Sequence, residues 1–198
     1  MCDKFKREKH SHLMNQDLSR KGSIDVAIEE LVTTINQIEH YYTTSSCSGR
    51  IIVYSLPIND ESNGSNWNVK KKGTKWVFVS HDIVTDHNLI TNSIHKEPVD
   101  NAYFKFEPFV LHACCDGIES AKTLMQAAVE CGFRNSGISI SKSNRVMVAV
   151  RSTHVLELPI VLNGKLIVTN DYIKQVIQLA NQKMSDNFDR IKKFLNRV

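Results

Sequence analysis

RIIVYSL at residues 50–56 and KWVFVSH at residues 75–81 are β-rich runs separated by PINDESNGSNWNVKKKG, a stretch crowded with turn formers. β-branched and aromatic residues suit a pleated, half-buried surface, whereas Asn, Asp, Gly and Pro interrupt it, so the pattern predicts a hairpin with a long loop. That reading decides the fold class, because hairpins join antiparallel neighbours and parallel strands need longer crossovers. Two further stretches agree. LPIVLNGKLIVT reads as a hairpin turning at Asn163-Gly164, and ISISKSNRVMVAVRS as strand, turn, strand. AYFKFEPFVLHACC (102–115) reads as one bent strand or two short ones, since Pro108 has no N–H for a ladder.

Helices fill the intervals. Ser23 precedes Ile24, Ala27, Ile28, Leu31, Val32, Ile35 and Ile38, a three-four spacing with Asp25, Glu29 and Glu30 at the end where the helix dipole favours acids. This predicts an amphipathic helix ending about Tyr41. ESAKTLMQAAVECG predicts a second, closed by Gly132, and DYIKQVIQLANQKMSDNFDRIKKFLNRV a long, basic C-terminal helix with Tyr172 and Phe188 on its inner face. The expected fold is α+β: a single domain with a mixed or largely antiparallel sheet and packed helices. No GxGxxG follows a strand, so a Rossmann site with its glycine-rich nucleotide turn is not expected. Residues 1–16 show no sustained periodicity and read as a flexible basic segment, leaving 17–198 as the domain.

The 198 residues are 41% hydrophobic, enough for a real core, and no apolar run approaches the ~20 residues that span a bilayer. MCDKFKREKHSHLMNQ carries charges where an export signal needs an apolar stretch, which points to a cytoplasmic protein. Its five cysteines, Cys2, Cys47, Cys114, Cys115 and Cys131, form no CxxC pair, so reduced thiols and no metal site are expected. The net charge of +4 is small, but its distribution is uneven. Lys4, Lys6, Arg7 and Lys9, then Lys70, Lys71, Lys72 and Lys75, then Arg190, Lys192, Lys193 and Arg197 form clusters able to hold phosphates.

Polar ligand-binding types gather at three places. TTSSCSGR (43–50), expected as a loop between the first helix and the first strand, offers Ser45, Ser46 and Ser48 hydroxyls, Gly49 for close backbone approach and the Arg50 fork. GFRNSG (132–137) adds Arg134, Asn135 and Ser136, and RSTH (151–154) adds Arg151 and Ser152. Such clusters at element ends suggest one shared polar site.

TTSSCSGR, FKFEPFVLH, GFRNSGISI and RSTHVLELP, in that order and together with DLSRKGSID and VTNDYIKQVIQLANQKM, resemble the tRNA wybutosine-synthesizing protein 3 family from about Asp17 to Phe194. The resemblance implies an S-adenosylmethionine-dependent methyltransferase. Its substrate would be phenylalanine tRNA, methylated on a ring nitrogen of the tricyclic base beside the anticodon after an aminocarboxypropyl group has been attached. Asp116, after LHACC, departs from the basic residue that many members carry there. A non-catalytic tRNA-binding module assisting another enzyme of the pathway is the alternative, and membrane partners are not expected.

Roles follow from the chemistry of in-line methyl transfer, in which positioning dominates and a base takes the ring N–H proton. Arg50 or Arg151 suits the donor's carboxylate, and Ser45, Ser46, Ser48, Gly49, Asn135 and Ser152 its ribose and amino groups. His112, with His81 second, suits the base, because imidazole titrates near neutrality. For the substrate, Arg134 suits the tail carboxylate, and Lys105, Glu107 and Ser136 are further contacts, with Glu107 also able to accept from the donor's diol or pair with Lys105. Phe106, Phe109, Phe133 and Tyr42 are the aromatics nearest these motifs for stacking on the base. Cys47 reads as a small, half-buried filler.

Overall fold

The computed structural model describes residues 2–14, 22–56, 74–96 and 99–198. Among them, β1 (Tyr41–Ser55), β2 (Lys75–Ser80), β3 (Ala102–Cys115), β4 (Gly137–Ile140), β5 (Val146–Arg151), β6 (Leu156–Leu162) and β7 (Lys165–Leu166) form one sheet. Its order is β2-β1-β3-β5-β4, with β6 also on β3 and β7 on β6. The pairs β1–β2, β3–β5, β3–β6, β4–β5 and β6–β7 are antiparallel. The helices are α1 (Cys2–Met14), α2 (Glu29–Gln37, preceded by a 3-10 turn at Val26–Ile28), α3 (Asn88–Lys96), α4 (Ile118–Glu130) and α5 (Asn170–Leu195). The fold is therefore the single α+β domain that the hairpins predict, with an open antiparallel sheet and no Rossmann arrangement.

Local chemistry explains the joints. Asn163 (φ 49°) and Gly164 (φ 70°) both take the left-handed conformation that a two-residue hairpin turn between β6 and β7 requires. Gly132 (φ 95°) ends α4: its N–H bonds Val129 O at 3.0 Å while Phe133 N–H reaches back to Ala128 O at 3.0 Å, so the last helical carbonyls are satisfied. Ile51 opposes Ser80 and Ser55 opposes Lys75 in the expected β1–β2 hairpin, whose connection, with Lys70, Lys71 and Lys72, lies outside the described residues. β3 is one strand. Along one edge its partner changes from β6 (up to Phe106) to β5 (from Val110), and Pro108 occupies the gap where no ladder donor is needed. The buried positions also change phase there: Ala102, Phe104 and Phe106 are buried before it, Phe109, Leu111 and Ala113 after it.

The chain packs as two compact units, interleaved in sequence. The first contains residues 1–49, 108–154 and 186–198. Its core joins Leu31, Val32 and Ile35 of α2, Leu111 and Ala113 of β3, Leu124 and Ala128 of α4, Val148 and Val150 of β5, and Ile191 and Phe194 of α5. Phe133 sits in the middle, fully buried, with its ring 5.1 Å from Phe109 and 5.8 Å from Phe194. Emptying such an aromatic position costs about 3–5 kcal/mol. The second unit contains residues 50–107 and 155–185. There Ile90 of α3, Phe104 of β3, Ile160 of β6 and Ile173 and Val176 of α5 converge on one apolar space, and Asn181 of α5 holds both the N–H and the carbonyl of Val84.

Five features differ from the sequence reading. TTSSCSGR is part of β1 and not a loop, because Thr and Ser tolerate extended backbone and β3 supplies a ladder. The N-terminal segment forms α1, docked by Phe5 against Tyr42, by His12 against the Thr43 carbonyl and by the Lys9 ammonium on the Ile38 carbonyl at the end of α2; residues 1, 15 and 16 lie outside the described residues. The first amphipathic helix stops at Gln37, short of Tyr41. Finally, α3 occupies a stretch to which no element was assigned, and Tyr172 is 46% exposed instead of buried.

Candidate active site

In the first unit, β1, β3 and β5 bring three side chains into a row. Ser45 Oγ lies 2.9 Å from His112 Nδ1, and the Arg151 guanidinium lies 3.1 Å from His112 Nε2. Thr44 adds a bond from its hydroxyl to the His112 carbonyl at 3.2 Å. A guanidinium can only donate, so Nε2 is the accepting nitrogen, and Nδ1 carries the proton and donates to Ser45. The imidazole is therefore neutral. Partial burial, and then the Arg151 charge, hold its pKa below the ordinary histidine value.

The loop after α4 is stitched to the same place. Ser136 Oγ donates to Phe133 O at 2.6 Å and accepts the Arg151 N–H at 3.1 Å, while the Asn135 N–H reaches Arg151 O at 3.3 Å. Ser136 is thereby a structural link that fixes where β5 ends. The Arg134 guanidinium and the Asn135 amide are exposed at the tip of this loop. Ser152 is buried and accepts the His154 N–H, and Arg190 of α5 bonds both His154 and the Gly132 carbonyl. His154, in RSTH, and Arg190, in the C-terminal basic cluster, are joined by packing that neither stretch of sequence reveals.

The remaining serines of TTSSCSGR divide. Ser46 is half-buried in β1. Ser48 turns inward, 1% exposed, with its N–H and hydroxyl on Asp25 and its carbonyl on Asn187, so its hydroxyl is used up inside the protein. Gly49 follows at φ 104°, a conformation that a side chain resists, and it too is buried.

In the second unit, Arg50 is already paired. Its Nε lies 2.6 Å from Glu107 and its guanidinium stands 4.2 Å over the Trp76 ring. Glu107 also meets Lys105 at 3.3 Å, Lys105 meets Glu157 at 3.1 Å, and Glu157 accepts the Tyr54 hydroxyl. Tyr54 stacks on Tyr103 at 5.5 Å. Burial works against the Glu157 charge, but the bonds from Tyr54 and Lys105 outweigh it and hold this carboxyl below its ordinary range. This ladder of alternating charges and aromatic faces includes the expected Arg50, Lys105 and Glu107. Its members Tyr54, Trp76, Tyr103 and Glu157 were missed, because alternation along separate strands does not reveal which strands adjoin. His81 follows β2 in this unit.

Of the aromatics expected to stack on a base, Phe106, Phe109, Phe133 and Tyr42 are all core residues, 0–3% exposed. Trp76, under the Arg50 guanidinium, is 37% exposed, and Tyr54 and Tyr103 are half-buried and stacked on each other. Asp116 makes a local link, accepting bonds from His40 and Ser120, so the departure at this position has a structural use. No helix among the described residues is long and apolar enough to cross a membrane.

A family model described as Methyltransferase TYW3 matches residues 4–198. The tRNA wybutosine-synthesizing protein 3 homolog of Xenopus laevis is 42% identical over 194 residues, which cover 96% of this chain and 74% of that protein. The tRNA(Phe) 7-((3-amino-3-carboxypropyl)-4-demethylwyosine(37)-N(4))-methyltransferase 1 of Pyrococcus horikoshii is 30% identical over 198 residues, 99% of this chain and 95% of that one. A solved structure of a Pyrococcus horikoshii protein superposes with a TM-score of 0.85 at 30% identity, covering 98% of this chain and 96% of its own. The match runs from the first helix to the last and includes each strand that carries Ser45, His112 and Arg151; this chain belongs to the TYW3 family of methyltransferases.

Proposed function

We propose that this chain methylates a ring nitrogen of the tricyclic wybutosine precursor beside the anticodon of phenylalanine tRNA, with S-adenosylmethionine as donor. Family membership and the activity for which the Pyrococcus horikoshii relative is named support the reaction class and the substrate. The observation that carries the reading for this chain is the Ser45–His112–Arg151 row: a neutral imidazole with a fixed tautomer, flanked by a cation and a hydroxyl.

The donor set suits S-adenosylmethionine. Its amino-acid end needs a cation, a part that the exposed Arg151 guanidinium suits, and its ammonium and ribose need small oxygen and amide groups, as Ser45 and Asn135 offer. When bound, it supplies a methyl group already activated on a sulfonium. The protein's own task is positioning and proton removal. His112 Nε2 takes the ring N–H proton, the freed electron pair forms the N–CH3 bond, and the C–S pair stays on sulfur. One positive charge thus moves from sulfur to imidazolium, so charge balances. Ser45 keeps Nδ1 protonated and the ring fixed, which holds Nε2 as the accepting atom. Arg134, exposed on its loop, is the cation for the precursor's aminocarboxypropyl carboxylate.

The test is direct. Purified protein, S-adenosylmethionine and phenylalanine tRNA from cells lacking this chain should give a precursor nucleoside heavier by one methyl-for-hydrogen exchange. A normal wybutosine profile in such cells would exclude the assignment.

A further inference from the structure

We propose that Arg151 is a carboxylate-operated cover on His112: without ligand its guanidinium occupies Nε2, and a ligand's amino-acid carboxylate draws the guanidinium away and leaves that lone pair to the reacting N–H. The inference rests on the methyl-transfer reading above and assigns Arg151 a part that positioning of the donor alone does not contain.

Geometry carries it. The only lone pair of a neutral imidazole is on the nitrogen without a proton, and Arg151 approaches that nitrogen at 3.1 Å. A base so covered cannot accept a second proton donor. Arg151 is exposed, and among the described residues its backbone is tied to Ser136 and Asn135 while its guanidinium is held by His112 alone, so the side chain can turn while β5 stays fixed. A carboxylate gives a guanidinium two charged acceptors in place of one neutral nitrogen and is the stronger partner. His112 meanwhile keeps its tautomer through Ser45.

The groups around His112 leave Arg151 as the charge that governs it. On β1 the neighbours are the neutral Ser45 and Thr44; on β5 they are Ala149, directly opposite, and Arg151; along β3 on the same face lie Val110 and Cys114, a thiol kept neutral by burial. The burial and the Arg151 charge that lower the His112 pKa agree with a covered ring.

The ligand chemistry is an amino-acid carboxylate on a short chain. Two sources carry it: the methionine end of the methyl donor, and the 3-amino-3-carboxypropyl tail named in the Pyrococcus horikoshii activity. They are separable. S-adenosylhomocysteine has the donor carboxylate and no transferable methyl, and 5′-methylthioadenosine lacks the amino-acid end. Phenylalanine tRNA can be prepared with or without the tail.

Nitrogen-15 NMR of histidine rings in the full chain, with His112 assigned through His112→Gln, tests the cover directly. Without ligand, wild-type His112 should show the Nδ1-protonated tautomer, and Arg151→Met should raise its titration midpoint. An unchanged midpoint in Arg151→Met overturns the cover whatever the protein's reaction. With ligand, S-adenosylhomocysteine or the tailed tRNA should raise the wild-type midpoint, identifying the source, while 5′-methylthioadenosine and untailed tRNA should not. Calorimetric binding of both carboxylate ligands with no change at His112 overturns the cover and leaves the methyl-transfer reading intact. No binding heat with either ligand overturns that reading and the proposal with it.

Discussion

Ser48 gives both its backbone N–H, at 2.8 Å, and its hydroxyl, at 3.1 Å, to one carboxylate oxygen of Asp25. Its carbonyl accepts from Asn187 at 2.7 Å, and the same amide takes the Phe109 N–H at 2.8 Å. These buried groups lie beside Gly49, where β1 departs from extended backbone, so side chains supply bonds that a regular ladder would otherwise provide. Asp25→Ala removes the acceptor from two buried donors and should cost about 1–3 kcal/mol for each group left unpaired. Ser48→Ala loses one such bond and should cost about 1 kcal/mol. Urea unfolding measures both. S-adenosylmethionine affinity should be unchanged in Ser48→Ala; a variant that folds normally but loses the donor would mean that the hydroxyl faces ligand.

His112 sets a pH dependence whose sign is fixed by its environment. Its pKa is lowered, by burial first and Arg151 second, so the folded state binds this proton less readily than the unfolded chain. The stability this group contributes is present above its unfolded pKa of about 6.5 and is lost as pH falls through the lower folded value. His112→Gln should flatten the stability profile in that acid window. It should also slow single-turnover methyl transfer on the order of a hundredfold or more, the usual worth of a positioned base. In the wild type, release of Arg151 by a bound carboxylate places the acid limb of kcat at higher pH than that of kcat/KM. Arg151→Met should bring the two limbs together; limbs that coincide in the wild type would show that ligand leaves the ring's surroundings unchanged.

The hairpins, the α4 stop and the long α5 were legible because each rests on local chemistry: Asn163-Gly164 accepts left-handed backbone, Gly132 closes a helix, and a three-four apolar spacing persists over α5. TTSSCSGR reads as a loop in sequence because its extended form depends on a neighbour, β3, whose His112 is 67 positions from Ser45, and side-chain chemistry does not announce which strand lies alongside. Asp25 shows the same limit. Near a helix start it reads as a dipole partner, yet it is buried and bound to Ser48, a contact set by tertiary packing. His112 and Arg151 were picked for their chemical types, and the sequence could not show that one nitrogen of the first is covered by the second. Arg50 was read as an available cation; its carboxylate partner Glu107 is 57 positions away.

The Arg50–Glu107 contact, with side chains 27% and 30% exposed, is neither a free surface pair nor a buried one. Charge-assisted bonds are worth about 1.5–3 kcal/mol, and solvent screening at this exposure reduces that to about 1 kcal/mol. A double-mutant cycle of Arg50→Met and Glu107→Gln, read by urea unfolding, should give a coupling of that size. Arg50→Met should reduce stability and tRNA affinity together, because it removes both the pair and the cation over Trp76. Loss of donor affinity with stability untouched would instead make Arg50 a ligand contact.

The basic clusters divide by what they already hold. In α1, Lys4 pairs with Glu8, Lys6 with Glu39, and the Lys9 ammonium sits 2.6 Å from the Ile38 carbonyl. Burial lowers the Lys9 pKa, with Glu39 opposing, as expected of an ammonium turned toward protein. Near the other end, Arg190 is taken by His154 and Gly132, and Arg197 by Glu130, whereas Lys192 and Lys193 are exposed. Phosphate binding releases condensed counterions, so each cation that grips tRNA adds about one to the slope of log affinity against log salt. Lys192→Gln with Lys193→Gln should therefore lower that slope by about two if both grip phosphate, while Lys6→Gln should leave it nearly unchanged. Lys9→Gln should act on stability, since it removes the ammonium that docks α1 on the end of α2. Filter binding over a salt series, beside thermal melts of the same variants, separates these effects. A slope that falls with Lys6→Gln and holds with the Lys192 and Lys193 pair would place the tRNA contact on α1 instead of on the last turns of α5.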